Sequence, residues 1–126
     1  MVSILIADDE PHVRALLRMI VTPTHQPIEA GDGAMALHLL RQQQPALAIL
    51  DVAMPELSGI EVCRQLRADP RTAGIGVIIV TANGTPEDRS AALDAGADYF
   101  VTKPFSPTVI LRLVETLAAA RMPVLV

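Results

Sequence analysis

A small set of polar residues follows the short aliphatic runs of this chain, each directly after a run ends. The set is Asp8, Asp9 and Glu10 after the first run, then Asp51, Thr81, and Lys103 with Pro104 after later ones. Two carboxylates at 4 Å repel by roughly 1 kcal/mol in water and about 4 kcal/mol at an effective dielectric of 20, so converging aspartates need cations or protons. Lys103 is the only lysine of the chain and supplies one positive charge. We expect Mg²⁺ to supply the rest, with Mn²⁺ as the alternative, because Mg²⁺ binds one or two carboxylates and leaves room for a phosphoryl group.

The aliphatic runs predict β-strands that alternate with helices, which is the pattern of an α/β fold with a parallel sheet. The predicted strands span residues 2–7, 47–50, 77–80 and 98–102, with a weaker strand at 26–29. Pro27 cannot donate a ladder hydrogen bond, so the weaker strand is expected at an edge of the sheet. The carboxyl ends of parallel strands meet at one edge, where ligands of open α/β sheets bind. The polar set is therefore expected to converge there.

Apolar residues at helical spacing predict one amphipathic helix near each end of the chain. The predicted buried faces are Val13, Leu16, Leu17 and Ile20 in the first helix and Ile110, Leu113, Val114 and Leu117 in the last. Thr85 and Ser106 each precede a proline and are predicted N-caps. The helix after Thr85 has little to bury beyond Ala91, Ala92 and Leu93, so we expect it to pack loosely and to shift easily.

The composition limits the classes of partner and the compartment. With 14 acidic and 10 basic side chains, the 126 residues carry a net charge of −4 and no basic stripe. Nucleic acid and an anionic membrane are therefore not expected as partners. Cys63 is the single cysteine and no secretory leader pattern is present, so a cytoplasmic location is expected. We predict one domain over residues 1–121, with 122–126 as a C-terminal tail or the start of a truncated linker.

Four segments carry a family resemblance. They are Leu-Ile-Ala-Asp-Asp-Glu-Pro at 5–11, Leu-Asp-Val-Ala-Met-Pro-Glu-Leu-Ser-Gly at 50–59, Val-Thr-Ala at 80–82, and Gly-Ala-Asp-Tyr-Phe-Val-Thr-Lys-Pro-Phe at 96–105. In this order and spacing they resemble the receiver domain of bacterial two-component response regulators, over essentially the whole chain. The resemblance implies a flavodoxin-like, doubly wound fold: a five-stranded parallel sheet of order 2-1-3-4-5 with five helices.

The resemblance also implies a phosphoacceptor site. Asp51 would be the nucleophile that takes a phosphoryl group from a phosphohistidine, forming an aspartyl phosphate. Asp8, Asp9, Asp51 and the backbone carbonyl of Ala53 would bind Mg²⁺. Lys103 would cancel charge on the phosphoryl oxygens, which phosphoryl transfer requires. The protein would be a signalling switch that assists its own phosphorylation and dephosphorylation, and not an enzyme acting on an external substrate.

Two further residues resemble the family's switch. The Thr81 hydroxyl would move to a phosphoryl oxygen, and the Phe100 ring would rotate inward behind it. The readout would be a change in the surface of the fourth helix, fifth strand and fifth helix. The implied partners are a histidine kinase or histidine phosphotransfer protein and a downstream protein or output domain. A phosphorylation-dependent homodimer is left open.

Other interpretations compete with this one. The run Gly31-Asp32-Gly33-Ala34-Met35-Ala36 satisfies the dinucleotide-binding fingerprint, with an acid at Asp51, although the strand before it is polar. A small Mg²⁺-dependent phosphatase would also use Asp51, but such enzymes usually carry a second acid two residues later, where this chain has Ala53. A degenerate receiver that only binds partners, or N-cap roles for Asp8 and Asp9, would leave the remaining polar set unexplained.

Overall fold

The computed structural model describes residues 2–121, so the predicted tail at 122–126 lies outside the described residues. Strands and helices alternate along the chain. The strands are β1 (Ser3–Ala7), β2 (Gln26–Ala30), β3 (Leu47–Asp51), β4 (Gly76–Thr81) and β5 (Tyr99–Thr102). The helices are α1 (Pro11–Val21), α2 (Gly33–Gln43), α3 (Gly59–Ala68), α4 (Pro86–Asp94) and α5 (Pro107–Ala119).

All five strands are parallel and form one sheet in the order β2-β1-β3-β4-β5. The predicted flavodoxin-like topology is confirmed. β2 lies at an edge, as its proline indicates, and Pro27 pairs in register with Ile4 of β1. β3 and β4 are buried along their whole length because helices cover both faces of the sheet.

The sheet separates two apolar layers. On one face, alternate strand residues such as Leu50 and Ile79 pack with α2, α3 and Ala92 of α4. On the other, Ile49 and Val80 pack with α1 and α5. Since successive strand residues point to opposite faces, the two layers follow from the period of two in each buried strand. The layers hold the carboxyl edge of the sheet in place.

The helix starts are defined by local hydrogen bonds. Thr85 caps α4 by accepting a bond from the Asp88 N–H at 3.1 Å, as predicted. Ser106 is the N-cap of α5, as predicted, and has the extended backbone of that position, although its side chain makes no capping hydrogen bond. Gly96 has a φ of +99°, a left-handed conformation that suits glycine, and follows the end of α4.

Two predicted core positions are exposed. Leu16 is 42% exposed because α1 contacts the sheet along Val13, Leu17 and Val21, and Leu16 lies beside that line. In α4 only Ala92 is buried and Leu93 is 52% exposed. The packing of α4 is therefore even looser than predicted, because Leu93 does not contribute to the core.

Candidate functional site

The predicted polar set converges at the carboxyl edge of the sheet. Asp8 follows β1 and is 1% exposed, and Asp51 ends β3 and is 3% exposed. Asp9 is exposed and Glu10 is half-buried. One carboxylate oxygen from each of these four residues lies within 4.8 Å of the others. The structure thus concentrates four acidic groups in a space that fits one cation.

Lys103 lies in the middle of this acidic cluster. Its Nζ is 2.9 Å from Asp8 Oδ2, 3.2 Å from Asp51 Oδ2 and 3.4 Å from Glu10 Oε1. The Lys103 backbone N–H donates to the Thr81 carbonyl at 2.8 Å, which fixes the start of the loop after β5. The Lys103–Pro104 peptide bond is cis. One ammonium therefore contacts three carboxylates and cannot neutralise all of them.

Asp8 contributes a buried oxygen whose one partner among the described residues is the shared ammonium of Lys103. The Asp8 Oδ1 accepts from the Glu10 N–H at 2.9 Å, whereas Oδ2 lies 2.9 Å from the Lys103 Nζ, which also contacts Glu10 and Asp51. The N-cap of α1 is Glu10, and no side chain caps it, so the capping interpretation of Asp8 and Asp9 is wrong. Buried carboxylate oxygens need a partner, and a hard divalent cation is the partner they suit. The donor set therefore fits Mg²⁺.

Burial and charge act on the ionisation of the site. Desolvation, and then the negative charge of Asp8, raise the pKa of Asp51 to about 6, although Lys103 and the Ala53 N–H oppose them. Desolvation also works against the charge of Lys103, but the hydrogen bond and charge of Asp8 and the charge of Asp51 outweigh it and raise the Lys103 pKa. Lys103 therefore stays charged. Its charge offsets only part of the burial and repulsion that disfavour an ionised Asp51.

Thr81 and Phe100 lie on neighbouring strands and on the same face of the sheet. Asp51 pairs in register with Val80, so Thr81 is one residue beyond Asp51 at the carboxyl edge. The Thr81 hydroxyl is buried and accepts a bond from the Asn83 N–H at 3.2 Å. Phe100 pairs with Ile79 and is half-buried against the layer of α2, α3 and α4. The two predicted switch residues therefore lie on the same face of the sheet.

The Ala53 N–H donates to Asp51 Oδ1 at 3.3 Å. This bond orients the Asp51 carboxylate, and a metal contact through the Ala53 carbonyl stays a prediction.

Two contacts at the site were not predicted. Glu10 belongs to the predicted polar set, but its contact with Lys103 was not predicted, because that contact depends on how α1 begins. Gly59 packs against the backbone of Asp51, since a Cβ at Gly59 would lie 2.3 Å from the Asp51 carbonyl oxygen. Only the fold shows that a residue without a Cβ is needed at Gly59 for this close approach.

A cavity of about 460 Å³ adjoins the acidic cluster and is lined by Glu10 and Lys103. Its other walls are mostly apolar and come from α1 and the segment after β5, including Leu16 and Phe105. The exposed Leu16 side chain thus faces an open space next to the charged site.

Comparison with known proteins agrees with this geometry. The family model described as "Response regulator receiver domain" matches residues 4–115. The chain belongs to the response regulator receiver family. A probable transcriptional regulatory protein, TcrX of Mycobacterium tuberculosis, is 41% identical over 89% of this receiver and 48% of its own length. Response regulator MprA of Mycobacterium sp. (strain KMS) is 38% identical over 97% of the receiver and 53% of its own length.

The fold of the receiver also matches solved structures. The signal receiver domain of a signal transduction histidine kinase from Syntrophus aciditrophicus superimposes with a TM-score of 0.89 at 32% identity, covering 100% of this chain and 98% of that one. The receiver spans about half the length of the two curated relatives above. Within residues 2–121, no helix has the length and apolar character needed to cross a bilayer.

The dinucleotide-binding interpretation does not fit the receiver. A Cβ at Gly33 would lie 1.9 Å from the Leu57 carbonyl oxygen, so protein backbone occupies the approach that a phosphate would need. Asp32 instead caps α2 by accepting a bond from the Met35 N–H at 2.7 Å. These residues make an ordinary turn into a helix.

Proposed function

We propose that this receiver accepts a phosphoryl group on Asp51 and works as a phosphorylation-dependent switch. The observation that carries the proposal is the position of Asp51: a buried carboxylate, paired with Lys103 at 3.2 Å, among acidic oxygens that fit a divalent cation. Phosphoryl transfer depends on positioning and charge cancellation more than on covalent chemistry from the protein. The site offers both.

The transfer step uses the Asp51 carboxylate as nucleophile. One carboxylate oxygen forms a bond to phosphorus while the bond from phosphorus to the donor's imidazole nitrogen breaks. The electron pair of that bond stays on the imidazole nitrogen, which takes a proton from solvent. The Lys103 ammonium neutralises part of the charge on the transferred oxygens, and the Ala53 N–H orients the nucleophile.

Asp8, Asp9 and Asp51, with the Ala53 carbonyl, would hold Mg²⁺. When bound, the ion supplies positive charge to the phosphoryl oxygens and screens the carboxylates from one another. Mn²⁺ fits the same oxygen donors. Glu10 serves a different purpose, because it contacts Lys103 and keeps its ammonium near the acidic oxygens.

The signal passes through Thr81 and Phe100. A phosphoryl group on Asp51 attracts the Thr81 hydroxyl, which then leaves the Asn83 N–H, and Phe100 moves toward the space behind it. The surface of α4, β5 and α5 changes its packing as a result. Since Phe100 has no hydroxyl, packing and not a side-chain hydrogen bond from the ring carries the signal.

The proposed donor is a histidine kinase or a histidine phosphotransfer protein. The proposed target is a downstream protein or output domain that binds the α4–β5–α5 surface, and a second copy of the chain is the alternative occupant. The receiver catalyses steps on its own aspartate and does not turn over an external substrate. The cytoplasm, where such kinases present their phosphohistidine, is its proposed location.

The proposal is tested by counting turnovers. The protein is incubated with Mg²⁺ and acetyl phosphate, and separately with a phosphate monoester, while inorganic phosphate release is followed. We expect acetyl phosphate to load at most one phosphoryl group per chain and to release phosphate only as that group hydrolyses, and we expect no sustained hydrolysis of the ester. Multiple turnovers of the ester that disappear in Asp51→Asn would contradict the switch and support a phosphatase.

A further inference from the structure

We propose that Arg89 of α4 is a positioning residue that holds the ring of Phe100 in its present half-buried place and so sets how readily the switch responds. The inference rests on the proposed function. The Arg89 guanidinium carbon lies 5.3 Å from the centroid of the Phe100 ring, within the range of a cation–π contact. Among residues 2–121, Arg89 has no ion pair with a carboxylate, so its charge is directed to the ring.

The loop between β4 and α4 contacts the same region of β5. A Cβ at Gly84 would lie 2.1 Å from Thr102 Cγ2 and 3.9 Å from Phe100 Cε1. The Gly84 backbone thus lies directly on β5, beside the edge of the Phe100 ring. The loop and the arginine both lie beside the part of the ring that the core leaves uncovered.

Beyond its chain connection at Thr81, this loop has one hydrogen bond to a site side chain among residues 2–121. The Asn83 N–H donates to Thr81 Oγ1 at 3.2 Å, one residue before Gly84. A hydroxyl that turns toward a phosphoryl group must give up this bond. The loop beside the ring then loses one of its attachments, and the contact with Arg89 becomes the main restraint on Phe100 from outside the core.

The two ends of α4 are fixed unequally. Near its C-terminal end, Cys63 Sγ donates to the Ala95 carbonyl at 3.5 Å and Arg67 Nε donates to the Gly96 carbonyl at 3.0 Å. Near its N-terminal end the residues are mostly exposed, and Ala92 is the one buried residue of the helix. Arg89 lies in the freer half, so its contact with Phe100 links that half of the helix to β5.

The size of the effect follows from the contact. A cation–π contact at an exposed site is worth about 0.5 to 1 kcal/mol, which corresponds to roughly a two- to fivefold change in an equilibrium between two ring positions. If the contact favours the unphosphorylated position, its loss makes the switched position easier to reach. By linkage, a phosphoryl analogue then binds more tightly by the same factor.

The ring can be observed directly because the chain has two phenylalanines, one tyrosine and no tryptophan. Phenylalanine with a ¹³C-labelled ring is incorporated into wild type, Arg89→Met and Arg89→Lys, and the Phe100 signals are assigned with Phe100→Leu. Spectra are recorded without metal and then during titration with beryllofluoride and Mg²⁺. Arg41→Met, which removes an arginine of α2 that bonds to Gln65, is the matched control.

In metal-free protein we expect Arg89→Met to shift the Phe100 ring signals and Arg89→Lys to shift them less, because lysine keeps a cation near the ring. The beryllofluoride concentration at half saturation should fall about two- to fivefold in Arg89→Met. Unchanged ring signals in Arg89→Met, or equal changes in the Met and Lys variants, would overturn the proposal. A change of the same size in the Arg41→Met control would also overturn it.

Failure of the proposed function would give a different result from failure of the Arg89 proposal. If wild type binds neither beryllofluoride nor a phosphoryl group, Asp51 is not an acceptor. The metal-free spectra still decide whether Arg89 holds the ring.

Discussion

Lys103 Nζ lies 3.2 Å from Asp51 Oδ2, although the two residues are 52 positions apart in the chain. The same ammonium is 2.9 Å from Asp8 Oδ2. One positive charge therefore serves two buried carboxylates, and the raised pKa of Asp51 shows that this is insufficient. We therefore expect the metal-free acidic cluster to cost free energy of folding, and a bound cation to offset that cost.

The first prediction concerns pH and Asp51→Asn. Because the pKa of Asp51 is about 6 in the folded protein and 3.8 in the reference state, ionised Asp51 disfavours the metal-free fold, and stability falls as pH rises from about 4 to 6. Asp51→Asn should remove this penalty and raise the unfolding free energy by about 1 to 3 kcal/mol at pH 7.5. At pH 4 the gain should be small. Urea unfolding of both proteins at several pH values measures this difference in unfolding free energy.

Glu56→Gln is the control for that series, since Glu56 is an exposed carboxylate in the loop after Asp51. It should have little effect at any pH. An Asp51→Asn variant that is less stable than wild type at pH 7.5, or whose gain grows as pH falls, would show that Asp51 is not a destabilising charge.

The second prediction concerns metal. Mg²⁺ at ten times its dissociation constant should stabilise the wild type by about 1.4 kcal/mol, because it binds the folded site and not the unfolded chain. The combined variant Asp8→Asn and Asp51→Asn should lose this gain. Thermal unfolding with MgCl₂, against NaCl of equal ionic strength, measures both. Equal stabilisation of the two proteins would place the ion elsewhere.

The third prediction separates the charge of Lys103 from its shape. Lys103→Met leaves two buried carboxylates without their cation and should destabilise the metal-free protein by about 3 kcal/mol at neutral pH. Lys103→Arg keeps the charge and should lose less stability, but its planar guanidinium should not replace the compact ammonium in phosphoryl transfer. Unfolding and phosphorylation rates are measured for both. If Arg restored transfer fully, the requirement for a compact cation would be refuted.

The fourth prediction concerns close approach at glycines. Gly59→Ala places a Cβ 2.3 Å from the Asp51 carbonyl oxygen, and Gly84→Ala places one 2.1 Å from Thr102 Cγ2. Both should lower the unfolding free energy, by about 1 to 3 kcal/mol as for other overpacked sites. Gly74→Ala is the matched control, since nothing lies within 4 Å of its Cβ position. Loss of stability in Gly74→Ala alone would contradict the assigned contacts.

Much of the fold could be predicted because it follows from local patterns. The buried strands are short aliphatic runs, Pro27 marks an edge, and the carboxyl ends of parallel strands bring Asp8, Asp51 and Lys103 together. The exposure of Leu16 could not be predicted, because helical periodicity defines an apolar stripe but not which part of it the sheet covers.

The finer contacts of the site were also beyond prediction from sequence. The contact of Glu10 with Lys103 depends on the path of the chain into α1, and that of Arg89 with Phe100 joins two elements whose relative position only the fold sets. His25 is a further case: it is buried, and its Nε2 lies 2.7 Å from Glu115 Oε1 on α5. Such pairs have no periodic signal in sequence.

Intact-mass spectrometry can show whether Asp51 accepts a phosphoryl group. Wild type and Asp51→Asn are incubated with Mg²⁺ and acetyl phosphate, and the modified residue is located by peptide mapping. We expect wild type to gain the mass of one phosphoryl group on Asp51, EDTA to prevent the gain, and Asp51→Asn to show none. A wild type that gains nothing, or a variant that gains the group equally, would contradict this expectation.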